Sequence, residues 1–365
     1  MVKWLWITLG ILVVLGAGGY WAYRTYGSPI PTISPTSKTA RPEPGIHWGA
    51  VVRPFALDVA GAPTTWQRGI GEQLDLVKAM GGTVVRANIE NNAGVMDALI
   101  NGANERELDV LLILEVAGDN PVLNQNIYKE QLYQLGKDLG REWASRYKGK
   151  VKYYQLANEV TGTAAHRPED TGPTLPNRYD LTFDQNRAER VAEYERGLAD
   201  GVKQGDKNAQ RMITGHWVLV DIIPYLIDHG VKFEIVGWDW YSDMGIDPTH
   251  TKVDKQPELD LPGTMTALGK KFWLAEVNKE SGSFKGTESE QAEYLKNVAT
   301  VVVANSKISG MIVHMLPDMA AEQGKETGEL GLIRVNHQTD GTWDFGTPKP
   351  AYDDLKAIFT QHQAR

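Results

Sequence analysis

Two glutamates stand at places where an acidic side chain needs a reason. Glu159 closes the apolar run VKYYQLANE (151–159), and Glu276 lies near the end of KFWLAEV (271–277). A carboxylate at the end of a buried run is costly unless it is ion-paired, hydrogen-bonded or functional. Either one alone could simply meet a nearby Arg or Lys. Two that faced each other across one site would suit the cleavage of a glycosidic bond. That reaction needs one acid to protonate the leaving oxygen and one carboxylate to attack the anomeric carbon or activate water. Arg86 in TVVRAN and Tyr241 in WDWYSD also end strand-like runs.

Such residues need a scaffold that brings distant strand ends together. Eight short apolar runs follow one another: 46–52, 83–88, 108–116, 151–159, 211–218, 233–241, 271–277 and 308–316. Between them lie stretches such as IYKEQLYQLGKDLGREWASRY and ESEQAEYLKNVATVVVAN, with apolar residues three and four apart and charges opposite. That spacing is helical. Strand and helix alternating eight times predicts a (β/α)8 barrel over residues 45–365. An open doubly wound sheet would normally show fewer strands and a glycine-rich phosphate turn, and none is found.

In such a barrel the chemistry belongs at the carboxyl ends of the strands. This filter selects Arg86 and Asn88, Asn158 and Glu159, Asp239 and Tyr241, Glu276, and His314. Alternation along a strand puts Arg86 with Asn88 and Asp239 with Tyr241 on the inner face, and turns Trp238 and Trp240 toward the helices. His47 and His216, on the first and fifth strands, are candidates to reach the mouth and bind hydroxyl groups. Lone histidines are more often satisfied locally. Trp48 and Trp217 beside them are expected in the core. The long segments after the fourth and eighth strands are candidate cleft walls. Trp343 in the second of them is either a stacking platform for a sugar or a pin holding the loop to the barrel.

YYQLANEV followed much later by FWLAEVN resembles the clan A glycoside hydrolases, retaining β-glycosidases on (β/α)8 barrels, over about residues 45–365. The resemblance implies Glu159 as acid/base, Asn158 as the partner of a sugar 2-hydroxyl and Glu276 as nucleophile. It also implies Arg86 and Tyr241 as the groups that keep Glu276 ionised. Two positions depart from the clan. His314 or Met315 stands where many members end strand eight with tryptophan, and Asp239 stands where many carry a histidine. The implied substrate is a β-linked oligo- or polysaccharide, cleaved by double displacement and preferably internally, without metal or organic cofactor. Transglycosylation on the same site is an alternative, as is a catalytically silent carbohydrate-binding barrel.

Composition narrows the alternatives. The 365-residue chain is 42% hydrophobic with a formal net charge of −8, which argues against a general nucleic-acid binder. It has no cysteine, so disulfides, thiolate metal sites and a Cys nucleophile are excluded. No HxH, HExxH or clustered carboxylate pattern points to a metal, and no G-x-S-x-G elbow to a serine triad. Trp4 to Tyr23 carries no charge and has aromatic residues at both ends. That predicts an uncleaved membrane anchor within residues 1–26, with a cleaved signal peptide as the alternative. Residues 27–44 hold prolines at 29, 31, 35, 42 and 44 and read as a semi-rigid spacer. Either reading of the N-terminus places the barrel outside the cytoplasm, tethered or secreted.

Overall fold

Eight parallel strands close into a barrel in the computed structural model, which describes residues 45–53, 56–57, 63–64, 69–115, 120–252 and 257–362. They are β1 (His47–Val51), β2 (Val84–Asn88), β3 (Asp109–Ile113), β4 (Tyr153–Gln155), β5 (Gln210–His216), β6 (Ile235–Tyr241), β7 (Lys271–Asn278) and β8 (Ile308–Val313). Each pairs with its sequence neighbours, and β8 returns to β1 through Gly310 beside His47 and Val313 beside Ala50. A helix follows every strand: α1 (Gly69–Ala79), α2 (Ala93–Glu105), α3 (Lys129–Arg146), α4 (Gln185–Gly205), α5 (Ile222–Asp228), α6 (Leu261–Ala267), α7 (Glu288–Ala304) and α8 (Pro350–His362). The expected barrel and its eight strands are therefore present. Among the described residues no helix is long and apolar enough to cross a membrane. The stretch 4–23, expected to be an anchor, and the spacer 27–44 lie outside the described residues.

Alternation divides the apolar residues into two layers. Val51, Val84, Leu111, Tyr153, Met212, Ile235, Trp273 and Ile312 pack inside the barrel. Trp48, Trp238 and Trp240 lie between strands and helices, fully buried, with Trp48 stacked on Phe359 of α8 at 4.4 Å. Gly310 leaves space for Trp273, since a Cβ there would fall 2.4 Å from the indole. Outside the barrel, α3 and α4 touch backbone to backbone along a glycine seam. A Cβ on Gly197 or Gly201 would lie 2.1 or 2.2 Å from the carbonyl oxygens of Tyr133 and Lys137.

The two long segments at the mouth are built structures. After β4 come a one-turn helix (Val160–Ala164) and an antiparallel hairpin joining Thr174–Pro176 to Thr182–Asp184. After β8, Ile333–His337 pairs with Trp343–Pro348. Buried Lys349 ties that segment down, donating to Asp318 Oδ1 (2.8 Å), Ser283 Oγ (3.2 Å) and the Glu329 carbonyl (3.1 Å). Burial pushes the Asp318 carboxyl up to about 6, against the opposing pull of Lys349.

Candidate active site

Arg86 organises the mouth of the barrel. It is 1% exposed, and its three nitrogens reach three elements. Nη1 donates to Glu276 Oε1 at 2.6 Å, Nη2 to Asn158 Oδ1 at 2.7 Å, and Nε to Gln155 Oε1 at 2.8 Å. Charge-assisted bonds of this length are the strong kind and fix orientation as well as charge. The other oxygen of Glu276, Oε2, accepts from the Tyr241 hydroxyl at 2.7 Å and lies 3.0 Å from His314 Nδ1. Burial opposes the charge on Glu276, but His314, Arg86 and Tyr241 outweigh it and hold the carboxyl well below the ordinary glutamate range. Burial and the neighbouring Glu276 push the Tyr241 phenol well up, so it remains a donor.

Glu159 stands in a different setting. Its side chain is 41% exposed, and its backbone is left-handed, with φ 45° and ψ 50°, an uncommon state for a residue with a Cβ. Neighbours hold that turn. Thr214 Oγ1 accepts from the Glu159 amide at 3.0 Å, and Glu115 Oε2 accepts from the Asn158 amide at 3.0 Å. Gln155 Nε2 donates to Asn158 Oδ1 (2.7 Å) and Thr214 Oγ1 (2.9 Å). The Asn158 oxygen is thus occupied from two sides. His216 Nδ1 lies 3.8 Å from Glu159 Oε1 and 3.0 Å from Thr161 Oγ1. Gly162 makes that packing possible, because a Cβ would come within 2.5 Å of the imidazole.

Asp239 is inside the same cluster. It is completely buried, next to Glu276 on β7 and His216 on β5 in strand register. Burial first, then the negative Glu276, push its carboxyl well above the ordinary aspartate range, against the pull of Arg86.

The structure therefore brings Arg86, Asn158, Glu159, His216, Asp239, Tyr241, Glu276 and His314 to one mouth. Asn88 is there too, but its amide donates to the Glu115 carbonyl at 3.1 Å and so holds the loop after β3. One expectation needs correction, and one pair of alternatives is decided. His47 is 3% exposed inside the barrel, stacked on Trp273 at 4.6 Å and edge-on to Tyr153, rather than at the mouth. Alternation told which face His47 takes but not how deep along the axis it sits. Trp343 is 7% exposed in the apolar core, against His337 at 4.8 Å, and so pins its hairpin instead of offering a platform.

Gln155, Thr214 and Glu115 were missed. The first two were findable, as polar residues on the inward parity of β4 and β5. Arg53 was also missed. It follows β1, its backbone amide donates to Gln73 Oε1 at 2.9 Å, and its side chain feels both Glu276 and Glu90. Among the described residues, His166, Asp170 and Asp184 form the grouping that could hold a metal, but Arg187 already ion-pairs with Asp170 there.

No protein-family model matches the chain, and no curated protein matches it in sequence. Solved structures do match in fold, and several are glycoside hydrolases on (β/α)8 barrels. A family 39 glycoside hydrolase from Bacteroides cellulosilyticus superposes with TM-score 0.62 at 12% identity, over 88% of this chain and 65% of that one. This chain thus spans just under two thirds of that protein. A family 1 β-glucosidase from Thermotoga maritima gives TM-score 0.59 at 10% identity, over 88% of this chain and 98% of that one. Xylanase 10B from Thermotoga petrophila, solved with xylobiose, gives 0.56 at 15% identity, over 87% and 94%. At these identities the likeness establishes a shared fold.

Proposed function

We propose that the chain is a retaining glycoside hydrolase that cleaves β-linked glycans by double displacement. One observation carries the reading: Glu276 is held charged between Arg86, Tyr241 and His314, at the same barrel mouth as the accessible Glu159. Glu276 attacks the anomeric carbon while Glu159 gives its proton to the leaving oxygen. In the second step Glu159 takes a proton from water, the hydroxide adds to the anomeric carbon, and Glu276 leaves as carboxylate. With its oxygen engaged by Arg86 and Gln155, Asn158 is left to donate through its amide to the sugar 2-hydroxyl. The fold shared with a β-glucosidase and a xylanase supports a β-glycan substrate. The hairpins after β4 and β8 support an extended cleft and internal cleavage. Residues 4–23 would tether the barrel on the outer side of a membrane.

The test incubates the protein and its Glu276→Ala and Glu159→Ala variants with β-glucans, mannans, xylans, galactans and aminosugar polymers, following products by mass spectrometry. Fragments or transfer products from the native protein alone, released with β-configuration at the new end, are expected. Equal turnover by Glu276→Ala would remove it as nucleophile. Binding to one glycan without any turnover would make the chain a carbohydrate-binding barrel.

A further inference from the structure

Asp239 is the one carboxyl of the site that the two-glutamate chemistry leaves without a task. Both of its oxygens are buried, and neither meets a hydrogen-bond donor among the described residues. Glu276 faces it from β7, Glu159 from the end of β4, Arg86 from β2 and Tyr241 from its own strand, while His216 is its register neighbour on β5. The one cation among the groups that act on it, Arg86, sends its bonds to Glu276, Asn158 and Gln155. Tyr241 donates to Glu276. An ionised Asp239 would thus be a second buried negative charge beside Glu276, with no donor to replace its lost water. Such a charge is far more costly than a proton held on the oxygen. Two carboxyls in close contact cannot both ionise cheaply, so with Glu276 held charged the proton stays on Asp239. Glu159 reaches the same corner of the mouth: its Oε1 lies 3.8 Å from Nδ1 of His216, the register neighbour of Asp239, and it acts on the Asp239 carboxyl.

We propose that Asp239 keeps its proton at working pH and donates that O–H to Glu159, as the positioning residue of the acid/base. The proposal rests on the reading of Glu159 given above. When Glu159 gives its proton to the leaving oxygen, it becomes a carboxylate, and the Asp239 O–H donates to it as a stronger, charge-assisted bond. When Glu159 then takes a proton from water, the neutral pair is restored. The Asp239 proton is not consumed. A neutral donor here also avoids a charge that would compete with Glu276 for Arg86.

The first measurement needs no substrate, so its failure is separable from failure of the glycosidase reading. In the full chain labelled with ¹³C at aspartate carboxyls, the resonance lost in Asp239→Asn should stay at the neutral-acid position from pH 5 to pH 8. A carboxylate shift at pH 7 would overturn the proposal. The second compares variants on whichever glycan the panel identifies. Asparagine presents a neutral N–H donor in the same place, so Asp239→Asn should stay within about tenfold in kcat/KM with its alkaline limb in place. Asp239→Ala should lose on the order of 10²-fold and move that limb. Asparagine failing as badly as alanine would also overturn the proposal, because it would show that a charge rather than a donor is required.

Discussion

Glu276 and Asp239 sit side by side in strand register, yet their surroundings push them in opposite directions. Glu276 has three partners that reward its charge, and Asp239 has only the pull of Arg86, whose bonds go elsewhere. This has a consequence for stability. The native state binds the Asp239 proton more tightly than the unfolded chain does. Above the ordinary aspartate range near pH 4, unfolded chains have lost that proton while the native state keeps it, so each pH unit costs about 1.4 kcal/mol up to the native value. Asp239→Asn removes this cost. Its melting temperature should exceed that of the native protein at pH 7 and approach it at pH 4. A gain that is the same at both values would show that Asp239 is not holding a proton. Glu276 has the opposite sign: its contribution is present above the ordinary glutamate range and is lost as pH falls through its depressed value.

Among the elements, α3 and α4 show how local preference and packing can disagree. Helix propensity alone says that Gly→Ala in a helix interior gains about 1 kcal/mol. At Gly201 the new methyl would lie 2.2 Å from the Lys137 carbonyl, so the two helices would have to separate. Overpacking of this kind typically costs about 1–3 kcal/mol. Net of the propensity gain, Gly201→Ala should therefore lower the urea midpoint by an amount worth up to about 2 kcal/mol. A midpoint that rises would mean the seam is looser than its backbone contacts imply. Helical spacing was legible in both segments. Which two helices would meet, and how closely, was not, because a period of 3.6 describes one helix at a time.

For the whole molecule, all eight barrel strands lie within one compact unit, Glu43–Arg365. A chain beginning at residue 45 should therefore melt within about 2 °C of the full chain, about the shift that 1 kcal/mol gives a domain of this size. If residues 4–23 are an anchor, the full chain should float with phosphatidylcholine vesicles in a density gradient, and the shortened chain should stay at the bottom. Both remaining at the bottom would remove the anchor from the proposal.

The chain order of apolar runs already determined a closed barrel, because eight strand and helix repeats can bury their faces in few other ways. Strand-end position and alternation also determined that Arg86, Glu159, Tyr241, Asp239 and Glu276 would share a mouth. Tertiary structure alone decided what each carboxyl meets there. Alternation assigns a face but neither a depth nor a neighbour, so His47 came to rest inside the barrel and Trp343 under its own hairpin. For the same reason, no spacing rule could show that the nearby donors would go to Glu276, Asn158 and Gln155 and leave Asp239 with none. That division depends on distances across strands far apart in the chain, which exist only once the barrel has closed.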